Sequence, residues 1–215
     1  MLFRNRFEAG EKLAEEIEAV GYQNPILLAI PRGGVAVAAA MAERLNWPLD
    51  VVITRKITPP FNPELAVGAI TPTGRVILDE RKLRDFGLGQ ADLAAEIERQ
   101  RQEQVRRVLA YRGSASYPPL SGKTLIIVDD GIATGLTVQA AIEGLRPEDP
   151  EAIVVAVPVA PRRSIRVLER TADAIHCLHA TDYFLAVGQF YLDFHQVSDE
   201  EVKELLQRFR PEQGK

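Results

Sequence analysis

Short, continuously apolar runs alternate along this chain with segments of helical periodicity. The apolar runs predict strands over residues 25–30, 50–54, 124–128, 152–159 and 174–178. Helical spacing of the apolar positions predicts helices over residues 7–20, 35–45, 91–111, 162–170 and 199–209, and one more that begins near residue 138. Strands that lack polar alternation are typical of a sheet covered on both faces. The pattern therefore predicts an α/β fold, with a mostly parallel, twisted sheet between helices on both faces.

The connections between these segments carry their own signals. Residues 71–74 (TPTG) separate two short apolar segments, which predicts a hairpin. Residues 57–63 hold three prolines and no core pattern, so a loop is expected there, and residues 113–122 predict a second loop. No repeat, low-complexity tract or linker interrupts the chain, which favours a single domain over residues 1–215.

Composition narrows the class of protein. The chain is 46% hydrophobic and 26% charged, with a formal net charge of −4, which is ordinary for a globular domain and does not favour a nucleic-acid or membrane partner. No apolar run approaches the roughly 18 residues that cross a bilayer, and no signal peptide is recognisable. The single cysteine, Cys177, is expected to be a buried strand thiol. The three histidines have no zinc-like spacing. We expect a cytoplasmic protein.

The segment that carries chemistry is LIIVDDGIATGLT, residues 125–137. An apolar strand ends in Asp129 and Asp130, and a loop of glycines, threonines and other small residues then leads directly into a helix. A helix start offers unpaired N–H groups and a partial positive charge, so it binds phosphate without a lysine. The segment is not a Walker loop, because Leu136 stands where the lysine would be.

The paired carboxylates would repel a phosphate unless the same ligand also offers them hydrogen-bond donors. A ribose diol does so, and a Mg²⁺ ion on the diol and a pyrophosphate would offset the charge. The segment therefore indicates a ligand with phosphate at one end and a diol at the other. The structural alternative is an acidic strand end followed by an Asp/Gly turn and a threonine N-cap.

VDDGIATGLT resembles the signature of the type I phosphoribosyltransferases, which use phosphoribosyl pyrophosphate (PRPP). The resemblance implies that Asp129 and Asp130 act in catalysis on the ribose and contact Mg²⁺ mostly indirectly. It also implies a 5-phosphate site formed by Gly131, Ile132, Ala133, Thr134, Gly135, Leu136 and Thr137. It extends to a core over about residues 25–178, with a small hood from the chain ends, residues 1–24 and 179–215.

Two further segments gain a meaning from this resemblance. The family binds pyrophosphate on a short loop after the first core strand, where this chain has Arg32, Gly33 and Gly34. The family's mobile catalytic loop corresponds to Arg55, Lys56 and the proline-rich residues up to 64, and Arg55 or Lys56 would stabilise departing pyrophosphate. The alternatives are a plain strand–helix turn and a solvated basic strand end. The arginines of residues 99–107 are expected on a solvated helix face.

Residues 184–193 are similar to the segment that covers the base in hypoxanthine-guanine enzymes. On that likeness Phe184, Ala186 and Asp193 would contact a base, whereas the alternative is that these aromatics pack the last helix on the sheet. Ala133 departs from the purine enzymes, which usually have an aspartate at that position. A purine acceptor is therefore one expectation, and the identity of the base stays open.

The sequence thus predicts a Mg²⁺-dependent enzyme that transfers 5-phosphoribose from PRPP to a small-molecule base. The main alternative is a regulatory protein that senses PRPP or a nucleotide without turnover, because a fold does not fix a function. A weaker one is a Mg²⁺-dependent phosphatase or kinase that uses Asp129 and Asp130. The oligomeric state is open, with a homodimer as one option.

Overall fold

The computed structural model of the protein describes residues 2–59, 61–62, 65–113 and 117–209. In chain order, its helices and strands are α1 (Arg6–Glu18), β1 (Pro25–Ala29), α2 (Gly33–Leu45), β2 (Leu49–Val51), β3 (Arg55–Ile57), β4 (Gly68–Ile70), β5 (Val76–Leu78), α3 (Glu80–Asp85), α4 (Ala94–Arg112), β6 (Thr124–Val128), α5 (Leu136–Leu145), β7 (Ala152–Pro161), α6 (Arg162–Leu168), β8 (Ala174–Thr181) and α7 (Asp199–Phe209). Short 3₁₀ turns lie at Gln90–Leu93, Arg146–Glu148 and Val187–Phe190. None of the helices within the described ranges has the length and apolar character needed to cross a membrane.

Five strands form a parallel central sheet in the order β2-β1-β6-β7-β8. Successive side chains of a strand point to opposite faces, and each face is covered here. Leu27 and Ile126 pack in one apolar cluster with α1, α2 and α7, while Leu28 and Ile127 pack in another with α5 and α6. This arrangement confirms the predicted fold class.

A second, three-stranded antiparallel sheet has the order β3-β4-β5. The predicted hairpin at residues 71–74 is confirmed: the Thr71 N–H donates to the Arg75 carbonyl at 2.8 Å, and Gly74 has a φ of +84°. The prediction that a loop begins at residue 57 is wrong for that residue, because Ile57 lies in β3 and pairs with Gly68 of β4. The predicted strand over residues 50–54 is shorter and earlier, at Leu49–Val51.

The chain ends meet on one side of the sheet. Phe3 donates to the Phe190 carbonyl at 2.8 Å and accepts from the Leu192 N–H at 2.8 Å. Arg4 accepts from the Asp193 N–H at 2.9 Å. α1, which follows, packs against α2 and so belongs to the layer that covers the sheet. The N-terminal segment and residues 190–193 thus form one paired unit beside the carboxyl ends of β6 and β7.

Candidate active site

The loop after β6 turns directly from the sheet into α5. Thr124–Val128 is buried throughout, and Gly135, with a φ of +84°, provides the left-handed turn before the helix begins at Leu136. Ala133 and Thr134 are exposed at the tip of the loop. Across the described ranges, no hydrogen bond engages the hydroxyl of Thr134 or Thr137. The loop therefore presents hydroxyls and the free N–H groups of a helix start to solvent.

Neighbouring elements hold this loop from both sides. The Ile132 N–H donates to the Val159 carbonyl at 2.9 Å, and the Ser164 hydroxyl donates to the Ala133 carbonyl at 2.7 Å. Gly131 packs so closely that a Cβ there would lie 2.5 Å from Val187. Only glycine fits at that position, and β7, α6 and the tail together fix the shape of the loop.

The two carboxylates lie where β6 ends. The Asp130 N–H donates to Asp129 Oδ1 at 2.9 Å, and Arg6 Nε donates to Asp130 Oδ2 at 2.8 Å. Burial raises the pKa of Asp129 well above its ordinary value, and the charge of Asp130 adds to that shift. Burial also raises the pKa of Asp130, although the Arg6 guanidinium opposes it. Hydroxyl donors or a cation from a ligand would relieve this crowding of negative charge.

Three residues around Asp130 were not among the site residues predicted from the sequence. Arg6 reaches it from α1, 124 positions away in the chain. The Tyr191 hydroxyl donates to the Asp130 carbonyl at 2.6 Å. Phe194 stacks on Tyr191 at 5.1 Å between ring centroids and lies 3.9 Å from the Arg6 guanidinium. The aromatic tail was the only visible hint, and it pointed to a base contact and not to Asp130.

The loop at residues 31–34 lies directly against the carboxylate pair. A Cβ on Gly33 would overlap Asp130 Oδ2, and one on Gly34 would lie 2.6 Å from the Val128 carbonyl oxygen. The Pro31–Arg32 peptide bond is cis. Two segments that are distant in sequence thus meet because glycines leave room for the approach.

The Arg32 side chain, one-third exposed, points toward the start of α7. Its Nη1 lies 3.7 Å from Asp199 Oδ1, and the same oxygen accepts from the Tyr111 hydroxyl at 2.5 Å. Tyr111 is on α4, so this contact joins α4 and α7 next to the predicted pyrophosphate loop. The Tyr111 hydrogen bond and the charge of Arg32 both lower the pKa of Asp199, which therefore stays ionised at neutral pH.

Arg55 and Lys56 lie in β3 and not at the end of a core strand. Arg55 is half-buried and its Nε donates to Gln100 of α4 at 2.7 Å, whereas Lys56 is exposed. Burial and the nearby charge of Arg107 lower the pKa of Arg55 from its ordinary value. Of the proline-rich segment expected to form a mobile loop, residues 60, 63 and 64 lie outside the described ranges.

The predicted base contacts belong to the tail. Phe184 packs on Phe190 with 5.5 Å between ring centroids, and Ala186 is exposed just before the 3₁₀ turn that packs on Gly131. Asp193 is exposed and accepts hydrogen bonds from the His195 backbone and ring. The structure therefore places Ala186 next to the turn that packs on Gly131, and within the described ranges it shows no direct contact among Phe184, Ala186 and Asp193.

Within the described part of the chain, no cluster of three or more His, Cys, Asp or Glu side chains is arranged to hold a metal ion. Asp129 and Asp130 supply carboxylate oxygens, the type of donor that Mg²⁺ prefers. Because Arg6 already occupies one of those oxygens, the pair suits Mg²⁺ only when a ligand completes the coordination shell.

Comparison with known proteins is consistent with this geometry. The model of the phosphoribosyl transferase domain family matches residues 3–195. A Mycobacterium tuberculosis H37Rv protein named "Putative phosphoribosyl transferase Rv0571c" is 40% identical over 207 residues, which cover 96% of this chain and 47% of that protein. The chain thus spans about half the length of the curated relatives it matches.

Solved structures agree on the fold. The crystal structure of TT1426 from Thermus thermophilus has a TM-score of 0.83 and 39% identity, and the match covers 98% of this chain and 100% of that one. The AQ2163 protein from Aquifex aeolicus shares the fold at 11% identity, with a TM-score of 0.53 and coverage of 92% and 81%. On these matches, the chain belongs to the phosphoribosyl transferase domain family.

Proposed function

We propose that this protein transfers the 5-phosphoribosyl group from PRPP to a nitrogen of a heterocyclic base and releases pyrophosphate. The observation that carries the proposal is the meeting of three segments at the carboxyl end of β6. A phosphate-type loop with an exposed tip, a partly buried carboxylate pair and a glycine-rich basic loop lie next to one another. PRPP presents a phosphate, a diol and a pyrophosphate in the matching order.

Each segment takes one part of the substrate in this proposal. The amides of residues 131–137, with the hydroxyls of Thr134 and Thr137, hold the 5-phosphate. Asp129 and Asp130 accept hydrogen bonds from the ribose diol. Arg32 and the amides of Gly33 and Gly34 hold the pyrophosphate, and Arg55 and Lys56 stabilise it as it leaves.

The reaction exchanges one bond at the ribose for another. The bond from ribose C1 to the pyrophosphate oxygen breaks, and its electron pair leaves with pyrophosphate. A base nitrogen forms a bond to C1 on the opposite face and loses its proton to solvent or to the leaving group. Positive charge develops on the ribose ring meanwhile, and the negative charge of the carboxylate pair stabilises it. Asp129 and Asp130 would hold Mg²⁺ mainly through oxygens of the ligand, and the ion would offset the charge of pyrophosphate.

The base that accepts the phosphoribosyl group is assigned only as a nitrogen heterocycle. Phe184 and Ala186 offer apolar contact to an aromatic ring, and Asp193 offers an acceptor for an N–H group of a base. A purine fits these contacts, whereas Ala133 lacks the carboxylate expected in the 6-oxopurine enzymes. The test must therefore include several bases.

The deciding experiment incubates the protein with PRPP, Mg²⁺ and a panel of purine and pyrimidine bases, and measures pyrophosphate release. We expect release with at least one base. The paired variant Asp129→Asn and Asp130→Asn should lose turnover by roughly a hundredfold or more, while PRPP affinity falls less, because the charge matters most in the transition state.

Two outcomes would overturn the proposal. A wild-type protein that binds PRPP but releases no pyrophosphate with any base would be a PRPP or nucleotide sensor. A protein that binds neither PRPP nor a nucleoside monophosphate would show that the assignment of the loop at residues 129–137 is wrong.

A further inference from the structure

Arg6 is the most deeply placed cation beside the carboxylate pair. Its side chain is 8% exposed, and its Nε donates to Asp130 Oδ2 at 2.8 Å. Its Nη1 donates to the His195 carbonyl at 2.8 Å, and the Phe194 ring covers its guanidinium at 3.9 Å. Residues 194 and 195 of the tail therefore fix the orientation of the guanidinium. Its Nε edge faces the carboxylate pair.

The contact between Arg6 and Asp130 involves one carboxylate oxygen. Arg6 engages only Oδ2 of Asp130, and the other side-chain partner of this carboxyl within the described ranges is the neighbouring Asp129 carboxyl. A Cβ on Gly33 would overlap Asp130 Oδ2 and lie 3.0 Å from Arg6 Nε, so Gly33 packs against both members of this ion pair. A planar guanidinium fixed at one carboxylate oxygen favours one rotation of the carboxylate and leaves its other oxygen without a cationic partner.

We propose that Arg6 is a positioning residue for the ribose. It holds Asp130 with Oδ1 turned toward the ligand diol, and it supplies a resident positive charge that offsets the carboxylate pair before any ligand arrives. This inference rests on the proposed function, because it assumes that the pair receives a ribose diol. Arg6 does not touch the ligand and acts only through Asp130.

A purely structural role is the competing explanation. Arg6 also ties α1 to the tail through His195 and Phe194, and its loss could simply loosen that contact. The two roles differ in what they do to ligand discrimination. The orientation of Asp130 by Arg6 changes the preference for the diol, whereas the charge of Arg6, or a loosened tail, changes the affinity for both phosphorylated probes alike.

The test uses two probes that differ only in the diol: ribose 5-phosphate and its 2,3-dideoxy analogue. Their dissociation constants are measured by NMR titration of the ligand-free protein, without metal. Wild-type protein should prefer ribose 5-phosphate by roughly tenfold or more, since hydrogen bonds to a charged acceptor are among the stronger ones. The variants are Arg6→Gln, which removes the charge, and Arg6→Lys, which keeps the charge but loses the planar fork.

Arg6→Gln should shrink the preference for the diol to about threefold or less. Arg6→Lys should bind the dideoxy probe like wild type and show an intermediate preference. Asp130→Asn should give the same loss as Arg6→Gln, and the double variant should lose little more, as expected for residues that act as a unit. The matched control is Arg4→Gln, which removes an exposed arginine from the same segment and should leave the preference unchanged.

The possible results separate the claims. If Arg6→Gln leaves the preference for the diol unchanged, whether or not it lowers the affinity for both probes, the positioning role is overturned while the proposed function stands. Wild-type protein that binds neither probe contradicts the proposed function, and this inference with it. If Arg6→Gln does not fold by circular dichroism, Arg6→Lys decides: a wild-type preference in that variant counts against a role for the planar fork.

Discussion

Thr134 gives the most direct test of the proposed 5-phosphate site. It stands at the tip of the loop before α5, and across the described ranges its hydroxyl has no protein partner. If it donates to the 5-phosphate, Thr134→Ala removes a hydrogen bond to a charged group, worth about 1.5–3 kcal/mol. PRPP affinity should then fall by roughly tenfold to a hundredfold in calorimetry.

Thr73→Ala is the matched control, because Thr73 is also an exposed threonine, in the turn between β4 and β5. Its affinity for PRPP should equal that of wild type. Equal affinities in all three proteins would mean that the Thr134 hydroxyl does not meet the ligand.

Asp129 gives a prediction about stability and pH. Burial and the neighbouring Asp130 raise its pKa in the folded state above the unfolded value. Below the unfolded pKa both states carry the proton, so the carboxyl costs nothing there. As pH rises from that value through the raised pKa, the unfolded state ionises first, and the folded state loses stability. Asp129→Asn should therefore unfold at higher denaturant concentration than wild type at pH 7, and this gain should vanish near pH 3–4.

Asp193, whose pKa is shifted in the opposite direction, serves as the control for that experiment. The backbone N–H and ring of His195 lower the pKa of the exposed Asp193, so Asp193→Asn should give no stabilisation at pH 7. A neutral or destabilising effect of Asp129→Asn at pH 7 would show that the carboxylate is better solvated or better paired than the structure indicates.

At the scale of elements, the approach of α2 to β6 depends on Gly34. A Cβ there would lie 2.6 Å from the Val128 carbonyl oxygen and 3.0 Å from Asp129 Cα, and both are backbone atoms that cannot turn aside. Gly34→Ala should therefore destabilise the fold by about 1–3 kcal/mol, as overpacking does. It should also displace the loop at residues 31–34 from the carboxylates and weaken binding of pyrophosphate.

Gly89→Ala is the comparison, because a Cβ there would meet only Asp92 Oδ2 at an ordinary 3.5 Å. Urea unfolding of both variants measures the difference, and pyrophosphate binding is followed by calorimetry. If Gly34→Ala unfolds like Gly89→Ala, the close packing of α2 on β6 is not as tight as the distances imply.

The elements differ in how far the sequence could predict them. The strand, loop and helix over residues 124–145 were predictable because apolar run, glycines and helix pattern are contiguous. β3 was hidden, because Arg55-Lys56-Ile57 shows no strand alternation and becomes a strand only by pairing with β4. The 3₁₀ turn at Gln90–Leu93 replaces the first turn of the predicted helix over residues 91–111, a boundary shift that periodicity cannot detect.

At the scale of the whole molecule, the missing information was tertiary contact between distant segments. Arg6 meets Asp130 only because residues 3–4 pair with residues 190–193, and no local pattern encodes that pairing. The glycines of residues 33–34 gave a stronger hint, since glycine permits close approach, but the partner that approaches them was not visible. Candidate residues could therefore be named from the sequence, whereas their mutual orientation required the fold.

The charge of the whole molecule gives the last prediction. The chain carries a formal net charge of −4, its site holds two adjacent carboxylates, and PRPP is a polyanion. Arg6 offsets only part of this charge, so Mg²⁺ on the pyrophosphate and diol should be needed for tight binding. PRPP affinity measured by calorimetry should fall about tenfold or more when EDTA removes Mg²⁺, a coupling within the usual range for two ligands.

Reciprocity makes this prediction sharper. Since coupling between two ligands is mutual, PRPP must tighten Mg²⁺ binding by the same factor by which Mg²⁺ tightens PRPP binding. Without PRPP the protein should bind Mg²⁺ only weakly, because two adjacent carboxylates make a poor octahedral site. Ribose 5-phosphate, which lacks pyrophosphate, should depend less on the metal and serves as the control. Tight Mg²⁺ binding by the ligand-free protein would mean that Asp129 and Asp130 form a metal site in their own right and not a site for the ribose diol.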